Sequence, residues 1–305
     1  MLTRRIGLFL QNLENDYQQL LRDDCRTTGA RHGFHVDVFS ADGNPNKQVQ
    51  QIHNALRLPL AARLQAVLVS PVRESNLMSN VTEALRSNIG WIMLSRFSDY
   101  LASARSEFAS VPLFCVMPDH EEIGRIQGRQ FKALLPAGGE LVYIRGPLGT
   151  YSAERRLTGM QKELADTAIH PLIFNSDWTL DGGARAITDW VSVFGAHELP
   201  ACVVGAQNDS MALGARQALL GAAGKKKEPI GAKFAFTGCD GSSGFGQRLV
   251  RDGQLAATIL VPSVSGRAVI ELASMLDGKS IPPLSIIVDV SSYPLEHLLG
   301  KRRPK

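Results

Sequence analysis

The stretch from Gly238 to Gly246 (GCDGSSGFG) is the part of the sequence most similar to a phosphate-binding loop. It follows an apolar run, but it lacks the lysine of a P-loop and the glycine spacing of a dinucleotide-binding turn. The first apolar run of the chain leads into residues 11–17 (QNLENDY), which contain no glycine at which the backbone could approach a pyrophosphate. A tight turn between a strand and a helix is therefore the better interpretation of residues 238–246, and phosphate binding is the weaker alternative.

The side chains that could perform catalysis are not arranged in a recognisable catalytic pattern. There is no G-x-S-x-G elbow, and none of the seven histidines has i,i+4 spacing with a second metal ligand. His120 follows an apolar run and could line a cleft, or it could lie in a hinge or on the surface. The four cysteines form no C-x-x-C pair, which predicts buried free thiols: Cys25, Cys115, Cys202 and Cys239. We therefore predict that the protein is not an enzyme and holds no metal.

The composition is typical of a soluble globular protein. Its 305 residues, 44% hydrophobic and 20% charged, are enough for two domains of about 150 residues each. The sequence contains no apolar run as long as the roughly 18 residues of a membrane-spanning helix. The net charge of +4 is small, and the basic runs at residues 225–227 and 301–305 are typical of a solvated loop and tail. Since neither run is interleaved with aromatic residues, we expect no nucleic-acid partner.

Short apolar runs alternate with amphipathic stretches along the whole chain, which predicts alternating strands and helices. The predicted strands are residues 6–10, 34–39, 66–69, 90–94, 112–116, 140–144, 171–174, 201–206, 235–238 and 257–261. The predicted helices are residues 17–33, 47–64, 75–87, 121–135, 153–166, 182–194, 210–223 and 244–251. A further helix at 265–276 and a strand at 286–290 end the pattern.

Strands without polar alternation, each followed by a helix, predict an α/β fold with two doubly wound parallel-sheet lobes. The expected N-terminal lobe is residues 1–117 plus about 263–288. The expected C-terminal lobe is residues 118–262 plus about 289–305. Three chain segments would then join the lobes and form a hinge. In such sheets, ligands bind beyond the carboxyl ends of the strands, so functional residues are expected directly after each strand.

Five segments at strand ends resemble the type I periplasmic binding proteins, and the ribose-binding group in particular. The segments are residues 42–45 (DGNP), 149–156 (GTYSAERR), 206–215 (AQNDSMALGA), 238–241 (GCDG) and 252–259 (DGQLAATI). The resemblance covers essentially the whole chain in order and spacing. It implies a periplasmic-binding-protein-like fold and a carrier that closes over a sugar and delivers it to an ABC transporter permease, with no cofactor.

The resemblance also implies a set of ligand-binding residues on both lobes: Asn15, Tyr17, Gln18, Arg96, Arg156, Trp178, Asn208 and Asp240. Aromatic rings can cover the C–H faces of a sugar, while amide, carboxylate and guanidinium groups pair with adjacent hydroxyls. Other roles remain open for four members of the set. Asn15 could be a helix N-cap and Trp178 a core residue, while Arg156 and Gln18 could lie on a helix surface.

Two positions depart from the ribose-binding pattern. Where that group has an aspartate before its cleft arginine, this chain has Ser95, and where it often has a polar hinge residue, this chain has the apolar run 260–262 (LVP). Both departures argue against ribose itself. Arg96 and Arg156 would then face only Asp240, and an uncompensated arginine in a desolvated cleft is costly. This charge imbalance leads to the hypothesis of an acidic ligand, such as a uronate, an aldonate or a phosphate.

Two other functions are compatible with the same pattern. The chain could be the effector-binding core of a lactose-repressor-like regulator, which would also carry an N-terminal helix-turn-helix, or it could be a sensory input module. For the transport protein we expect a monomer in the periplasm, whose leader is absent from the sequence given; a cytoplasmic location is the alternative.

Overall fold

The structure, a computed structural model, describes residues 4–194, 202–222 and 233–301. The described chain divides into two units. Unit 1 comprises the residues up to Pro118 together with Ser263–Val288. Unit 2 comprises Asp119–Pro262 and the residues from Asp289 onward. The chain therefore passes between the units three times. The basic residues 225–227 and 302–305 lie outside the described residues, as does the side chain of Cys202.

Strands and helices alternate through the described chain. The strands are β1 (Arg4–Leu10), β2 (Phe34–Ser40), β3 (Ala66–Val69), β4 (Gly90–Leu94), β5 (Leu113–Pro118), β6 (Gly139–Arg145), β7 (Ile169–Asn175), β8 (Cys202–Ala206), β9 (Phe234–Thr237), β10 (Thr258–Leu260), β11 (Ser285–Val288) and β12 (Ser291–Tyr293). The helices are α1 (Asp16–Arg31), α2 (Pro45–Leu56), α3 (Met78–Arg86), α4 (Tyr100–Glu107), α5 (His120–Leu134), α6 (Tyr151–Leu164), α7 (Leu180–Phe194), α8 (Asp209–Ala222), α9 (Gly246–Arg251) and α10 (Val264–Leu276). Short 3-10 turns occupy Leu60–Ala62, Glu74–Leu77 and Glu296–Lys301.

Unit 1 is built on a parallel sheet with the strand order β11-β5-β4-β3-β1-β2. Successive residues of β1 enter different cores, because side chains alternate across a strand. Leu8 packs with residues of α1 and α10. Phe9 packs with residues of α2 and α3 in a second core. The sheet is thus covered on both faces, as in a doubly wound fold.

Unit 2 repeats this plan with a parallel sheet in the order β7-β6-β8-β9. Val142 and Ile144 pack with residues of α7 and α8. Leu141 and Tyr143, which alternate with them along β6, pack with residues of α5 and α6. The predicted α/β class with two doubly wound parallel-sheet lobes is confirmed. In the described ranges, no helix is both long and apolar enough to cross a membrane.

The segment predicted as a tenth strand at 257–261 joins two neighbours. β10 pairs antiparallel with β12, and isolated parallel bridges join Ala257 to Thr237 at the end of β9 and Leu260 to Asp240. β12 has the sequence Ser-Ser-Tyr, which carries no apolar pattern and was not predicted. The short helix α4 was not predicted either.

One predicted helix, residues 47–64, is too long. The α-helix in this region ends at Leu56, three residues before Pro59. Proline disfavours helical backbone in the residue before it, so the helix cannot run through this point. A 3-10 turn at Leu60–Ala62 follows instead.

Glycines allow the helices of unit 2 to pack at very short distances. A Cβ atom added at Gly124 on α5 would overlap the carbonyl of Arg156 on α6, and one at Gly159 would overlap the carbonyl of Glu121. Helices α7 and α8 repeat the arrangement at Gly183 and Gly214. These contacts hold α5 against α6 and α7 against α8 at backbone-to-backbone distance.

Candidate functional site

Asn15 lies between β1 and α1 and is the N-cap of that helix. Its Oδ1 accepts hydrogen bonds from the backbone N–H groups of Tyr17, at 2.9 Å, and Gln18, at 3.3 Å. These bonds satisfy two of the amides that a helix leaves unpaired in its first turn. The capping role, one of the two considered for this residue, is therefore present. The Nδ2 group makes no hydrogen bond to another described residue, so it can still donate to a ligand.

Gln18 is buried and does not lie on the helix surface. Its Oε1 accepts a hydrogen bond from the Gln11 N–H at 3.2 Å, and its Nε2 donates to the Ser70 hydroxyl at 3.2 Å. The side chain thus ties α1 to the residues that follow β1 and β3.

The segment after β4 carries Ser95 and Arg96, and Ser95 lies close to Tyr17 of α1. The Ser95 and Tyr17 hydroxyl oxygens are 3.5 Å apart, and Ser95 has a left-handed backbone with φ of 65°. Arg96 is partly buried, and among the described residues none pairs with its guanidinium through an ion pair or hydrogen bond. Burial lowers the pKa of the Arg96 guanidinium, and the nearby Glu74 carboxylate partly opposes that shift.

In unit 2, Arg156 lies in the second turn of α6 with only 6% of its surface exposed, so it is not a surface residue. Its Nη1 donates to the Gln207 carbonyl, and its Nε donates to Nδ1 of His120 at 3.4 Å. Its Nη2 lies 4.0 Å from a carboxylate oxygen of Asp240. The guanidinium carbon is 5.7 Å from the centre of the Trp178 ring, within the range of a cation–π contact.

Trp178 and Asn208 are joined directly. The Asn208 Nδ2 donates to the Trp178 carbonyl at 2.9 Å, while its Oδ1 accepts from the Met211 N–H at 2.8 Å and so caps α8. The Trp178 ring lies against Gly146, where any Cβ atom would overlap it. The ring also packs against the core of unit 2 and is partly exposed. Trp178 is therefore both a core contact and a residue with surface open to solvent.

Strained backbone is concentrated at the ends of these strands. Five non-glycine residues in the described ranges have positive φ, and three of them are Ser95, Trp178 and Asp240. A left-handed conformation costs a residue other than glycine roughly 1–3 kcal/mol, and such residues cluster at functional sites. The Gly241 N–H, directly after Asp240, donates to the buried Asp209 carboxylate at 2.8 Å, which holds this turn in place.

The structure therefore brings all four candidates of unit 2 together: Arg156, Trp178, Asn208 and Asp240. In unit 1, Asn15 and Tyr17 adjoin at the start of α1, Ser95 links Tyr17 to the segment of Arg96, and Gln18 is bound to the strand ends. No group of three or more histidine, cysteine or acidic side chains in the described ranges could hold a metal ion.

Comparison with known proteins identifies the family. Residues 6–280 match the family described as "Periplasmic binding protein domain". The chain belongs to this family. It is therefore a solute-binding protein and not an enzyme.

Relatives of this periplasmic binding protein match it over most of its length. It is 27% identical to the ribose import binding protein RbsB of Escherichia coli (strain K12), over 90% of this chain and 86% of the relative. It is 26% identical to the xylitol-binding protein of Mycolicibacterium smegmatis, over 99% of this chain and 82% of the relative. A crystal structure of a galactofuranose binding protein shares the fold, with a TM-score of 0.82 and 17% identity over 98% of this chain and 96% of that one.

Two buried residues that contact the candidate residues of unit 2 or their neighbours were not in the predicted set. Gln207 is fully buried; its Oε1 accepts from the Gly146 N–H at 2.9 Å, and its Nε2 donates to the Tyr143 hydroxyl and the Ala153 carbonyl, both at 3.0 Å. Its only sequence signal is its place beside Asn208 in the segment 206–215. His120 is buried against Arg156 rather than exposed, and its single signal is its place after β5.

Proposed function

We propose that this protein is the solute-binding component of an ABC transporter and that it binds a neutral sugar or polyol. The observation that carries the proposal is the convergence of Arg156, Trp178, Asn208 and Asp240 at the strand ends of unit 2. The names of the ribose and xylitol relatives support the ligand class.

The four side chains of unit 2 match the chemistry of a polyol. A partly exposed indole ring can cover the C–H face of a sugar, and Trp178 is fixed from behind by Gly146. Arg156 supplies donors and Asp240 supplies acceptors, so two neighbouring hydroxyls can each be paired. Each hydrogen bond contributes on the order of 1 kcal/mol net, and more when one partner is charged.

Unit 1 carries a second set of candidate ligand-binding residues, Asn15, Tyr17 and Arg96, with Gln18 holding the strand ends behind them. A bound sugar is shielded from water, and a hydroxyl without a partner then becomes costly, which gives selectivity between similar sugars.

The charges of the two half-sites favour a neutral ligand. The hypothesis of an acidic ligand counted Asp240 as the single carboxylate beside two arginines. Asp240 lies 4.0 Å from Arg156 within unit 2, and Glu74 is a second carboxylate whose charge acts on Arg96 in unit 1. Each guanidinium therefore has an anionic group in its own half-site, and an acidic ligand is not needed to compensate it.

A transport role implies a periplasmic location, a permease as the protein partner, and a monomer that docks on it. The reported relatives are an import binding protein and a polyol-binding protein, which supports transport rather than an effector-binding core of a repressor or a sensory module.

A thermal-shift screen followed by isothermal titration calorimetry tests the proposal, because a ligand that binds only the folded state raises the melting temperature. The panel consists of D-ribose, xylitol, D-allose, L-arabinose and myo-inositol, with amino acids and nucleosides as unrelated solutes. We expect a sugar or polyol to raise the melting temperature and to bind with 1:1 stoichiometry. Binding of an amino acid or nucleoside with no response to any polyol would contradict the proposal.

A further inference from the structure

The glycine-rich loop at residues 238–246 of unit 2 lies against a carboxylate of the protein itself. Asp209, the first residue of α8, is 2% exposed. Its Oδ2 accepts a hydrogen bond from the Gly241 N–H at 2.8 Å, and its Oδ1 accepts from the Thr258 hydroxyl at 2.6 Å. The loop therefore contacts an anion, and this anion is a side chain from the neighbouring helix.

Two glycines of the loop leave the space that this carboxylate fills. A Cβ atom added at Gly238 would overlap the Asp209 Oδ1, and one added at Gly246 would overlap its Oδ2. At Gly244, beyond its own chain neighbours, an added Cβ atom would meet no atom of the described residues within 4 Å. Glycine is therefore required at positions 238 and 246 by the buried carboxylate.

The same carboxylate holds the backbone that carries Asp240. Asp240 has a φ of 102° and Gly241 a φ of 56°, so two consecutive residues have positive φ. Such backbone persists only when the surrounding structure holds it. Here the Gly241 N–H is bound by Asp209, and the Gly241 carbonyl accepts from the Gln247 Nε2 at 2.9 Å. The residue that follows Asp240 is thus held at both its donor and its acceptor.

We propose that Asp209 is a positioning residue for ligand binding, because its carboxylate acts as the internal anion of the loop and keeps Asp240 in place. The inference rests on the proposed function in one respect, namely that Asp240 binds the ligand. Asp240 lies 4.0 Å from the Arg156 Nη2. A shift of its backbone therefore changes both the acceptor offered to a sugar hydroxyl and its distance from this guanidinium.

Two substitutions of Asp209 separate the carboxylate from the rest of the side chain. Asp209→Ala removes the acceptor of the buried Gly241 N–H and leaves a space that formate can fill with an equivalent carboxylate. Asp209→Asn keeps one oxygen for that N–H, and its amide group can donate to the Thr258 hydroxyl oxygen. We therefore expect Asp209→Asn to lose less affinity than Asp209→Ala.

Unit 1 contains a matched control for Asp209→Ala. The Asp24 carboxylate accepts from the Gly266 N–H at 2.8 Å and from the Thr28 hydroxyl at 3.2 Å, and a Cβ atom at Gly266 would overlap it. This carboxylate joins α1 to α10 and holds no strand end. Asp24→Ala should therefore lose stability and keep its affinity for the ligand.

A second pair of variants tests the same contact without removing the charge. Gly246→Ala places a methyl group against the Asp209 Oδ2, whereas Gly244→Ala adds the same group in open space within the same loop. We expect Gly246→Ala to weaken ligand binding and Gly244→Ala to leave it unchanged. Equal affinities in these two variants would overturn the inference, even if Asp209→Ala does not fold.

The binding experiment is calorimetric titration with D-ribose and with xylitol, in sodium formate or in sodium chloride at equal ionic strength. In chloride, Asp209→Ala should bind about tenfold more weakly than the unmodified protein, since a buried N–H has lost its acceptor. Formate should restore part of that affinity. A loss no greater than that of Asp24→Ala, or no recovery in formate, would contradict the proposed role.

A measurement on the ligand-free protein makes the result independent of the ligand. Cys239 precedes Asp240 and is fully buried, and burial raises the pKa of its thiol, so a thiol reagent reaches it only when the turn opens. Peptide mass spectrometry should show faster labelling of Cys239 in Asp209→Ala, slowed again by formate, with Cys25 in unit 1 unchanged. Unchanged labelling of Cys239 would overturn the inference. If neither sugar binds, the proposed sugar class fails, and the labelling alone decides whether Asp209 holds this turn.

Discussion

The carboxamide of Asn208 holds the backbone of Trp178 and the first turn of α8 at the same time. Its Nδ2 donates to the Trp178 carbonyl, and its Oδ1 accepts from the Met211 N–H. Trp178 has a φ of 69°, a conformation that a tryptophan does not adopt without support. Asn208 therefore links helix capping to the placement of the indole ring that we propose as a sugar platform.

Replacing Asn208 by alanine should weaken both stability and ligand binding. Loss of the cap is expected to lower the free energy of unfolding by about 1–2 kcal/mol. Loss of the bond to the Trp178 carbonyl also frees the strained backbone, so the ring loses its fixed position. Chemical denaturation and calorimetric titration with the best ligand of the screen measure the two effects separately.

Asn44→Ala is the matched control for Asn208→Ala. Asn44 caps α2 in unit 1 with the same type of bonds, to the N–H groups of Asn46 and Lys47, and it holds no tryptophan. It should lose a similar amount of stability and keep its affinity. Equal losses of affinity in the two variants would show that Asn208 acts on binding only through general stability.

Trp178 itself should carry a large part of the binding energy. Trp178→Ala removes the ring and is expected to reduce affinity by about tenfold or more, while Trp178→Phe keeps a smaller ring and should lose less. Trp190→Phe is the control, because Trp190 is buried in the core of unit 2 against Phe234. A ligand-induced change in tryptophan emission should survive in Trp190→Phe and disappear in Trp178→Phe.

The strand ends of this protein could be predicted from the sequence because apolar runs of four to seven residues are followed directly by polar residues. β3 and β4 were predicted with their observed bounds, and Arg96, Trp178, Asn208 and Asp240 all follow strands. The sequence does not predict which hydrogen bonds each side-chain amide makes or how deeply it is buried. Asn15 and Asn208 cap helices, whereas Gln18 and Gln207 are buried between strand ends, and the residue types alone do not distinguish these environments.

The elements that were missed depend on tertiary contacts rather than on local pattern. β12 is extended because it pairs with β10, and its three residues have no apolar periodicity of their own. The sequence left His120 open between a cleft, a hinge and a surface position, since its contact with Arg156 comes from another helix. Glu74 was not considered, because its effect on Arg96 crosses two separate loops.

The charge arrangement predicts that neutral ligands are preferred over acidic ones of the same skeleton. D-Ribose should bind more tightly than D-ribonate, and xylitol more tightly than D-xylonate, in calorimetric titrations at pH 7.5. Asp240→Asn removes the carboxylate beside Arg156 and should shift the ratio toward the acidic member of each pair. Tighter binding of the acids by the unmodified protein would instead support the hypothesis of an acidic ligand.

The close packing of α7 on α8 predicts that replacing a glycine by alanine changes stability very differently at Gly183 and Gly214 than at Gly221. A Cβ atom at Gly183 would overlap the Met211 carbonyl, and one at Gly214 would overlap the Leu180 carbonyl, so each contact involves backbone that cannot rotate away. Gly183→Ala and Gly214→Ala should each lower the free energy of unfolding by about 1–3 kcal/mol or more, since overpacking forces the helices apart.

Gly221 offers the control on the same helix as Gly214. Beyond its own helix backbone and chain neighbours, an added Cβ atom there would meet no atom of the described residues within 4 Å, and the residue is exposed. Gly221→Ala should stabilise the protein by about 0.4–1 kcal/mol, because alanine restricts the unfolded chain and favours helix. Urea denaturation of the three variants measures the order. A stability loss in Gly221→Ala equal to that in Gly214→Ala would mean that the helix–helix contact is not the cause.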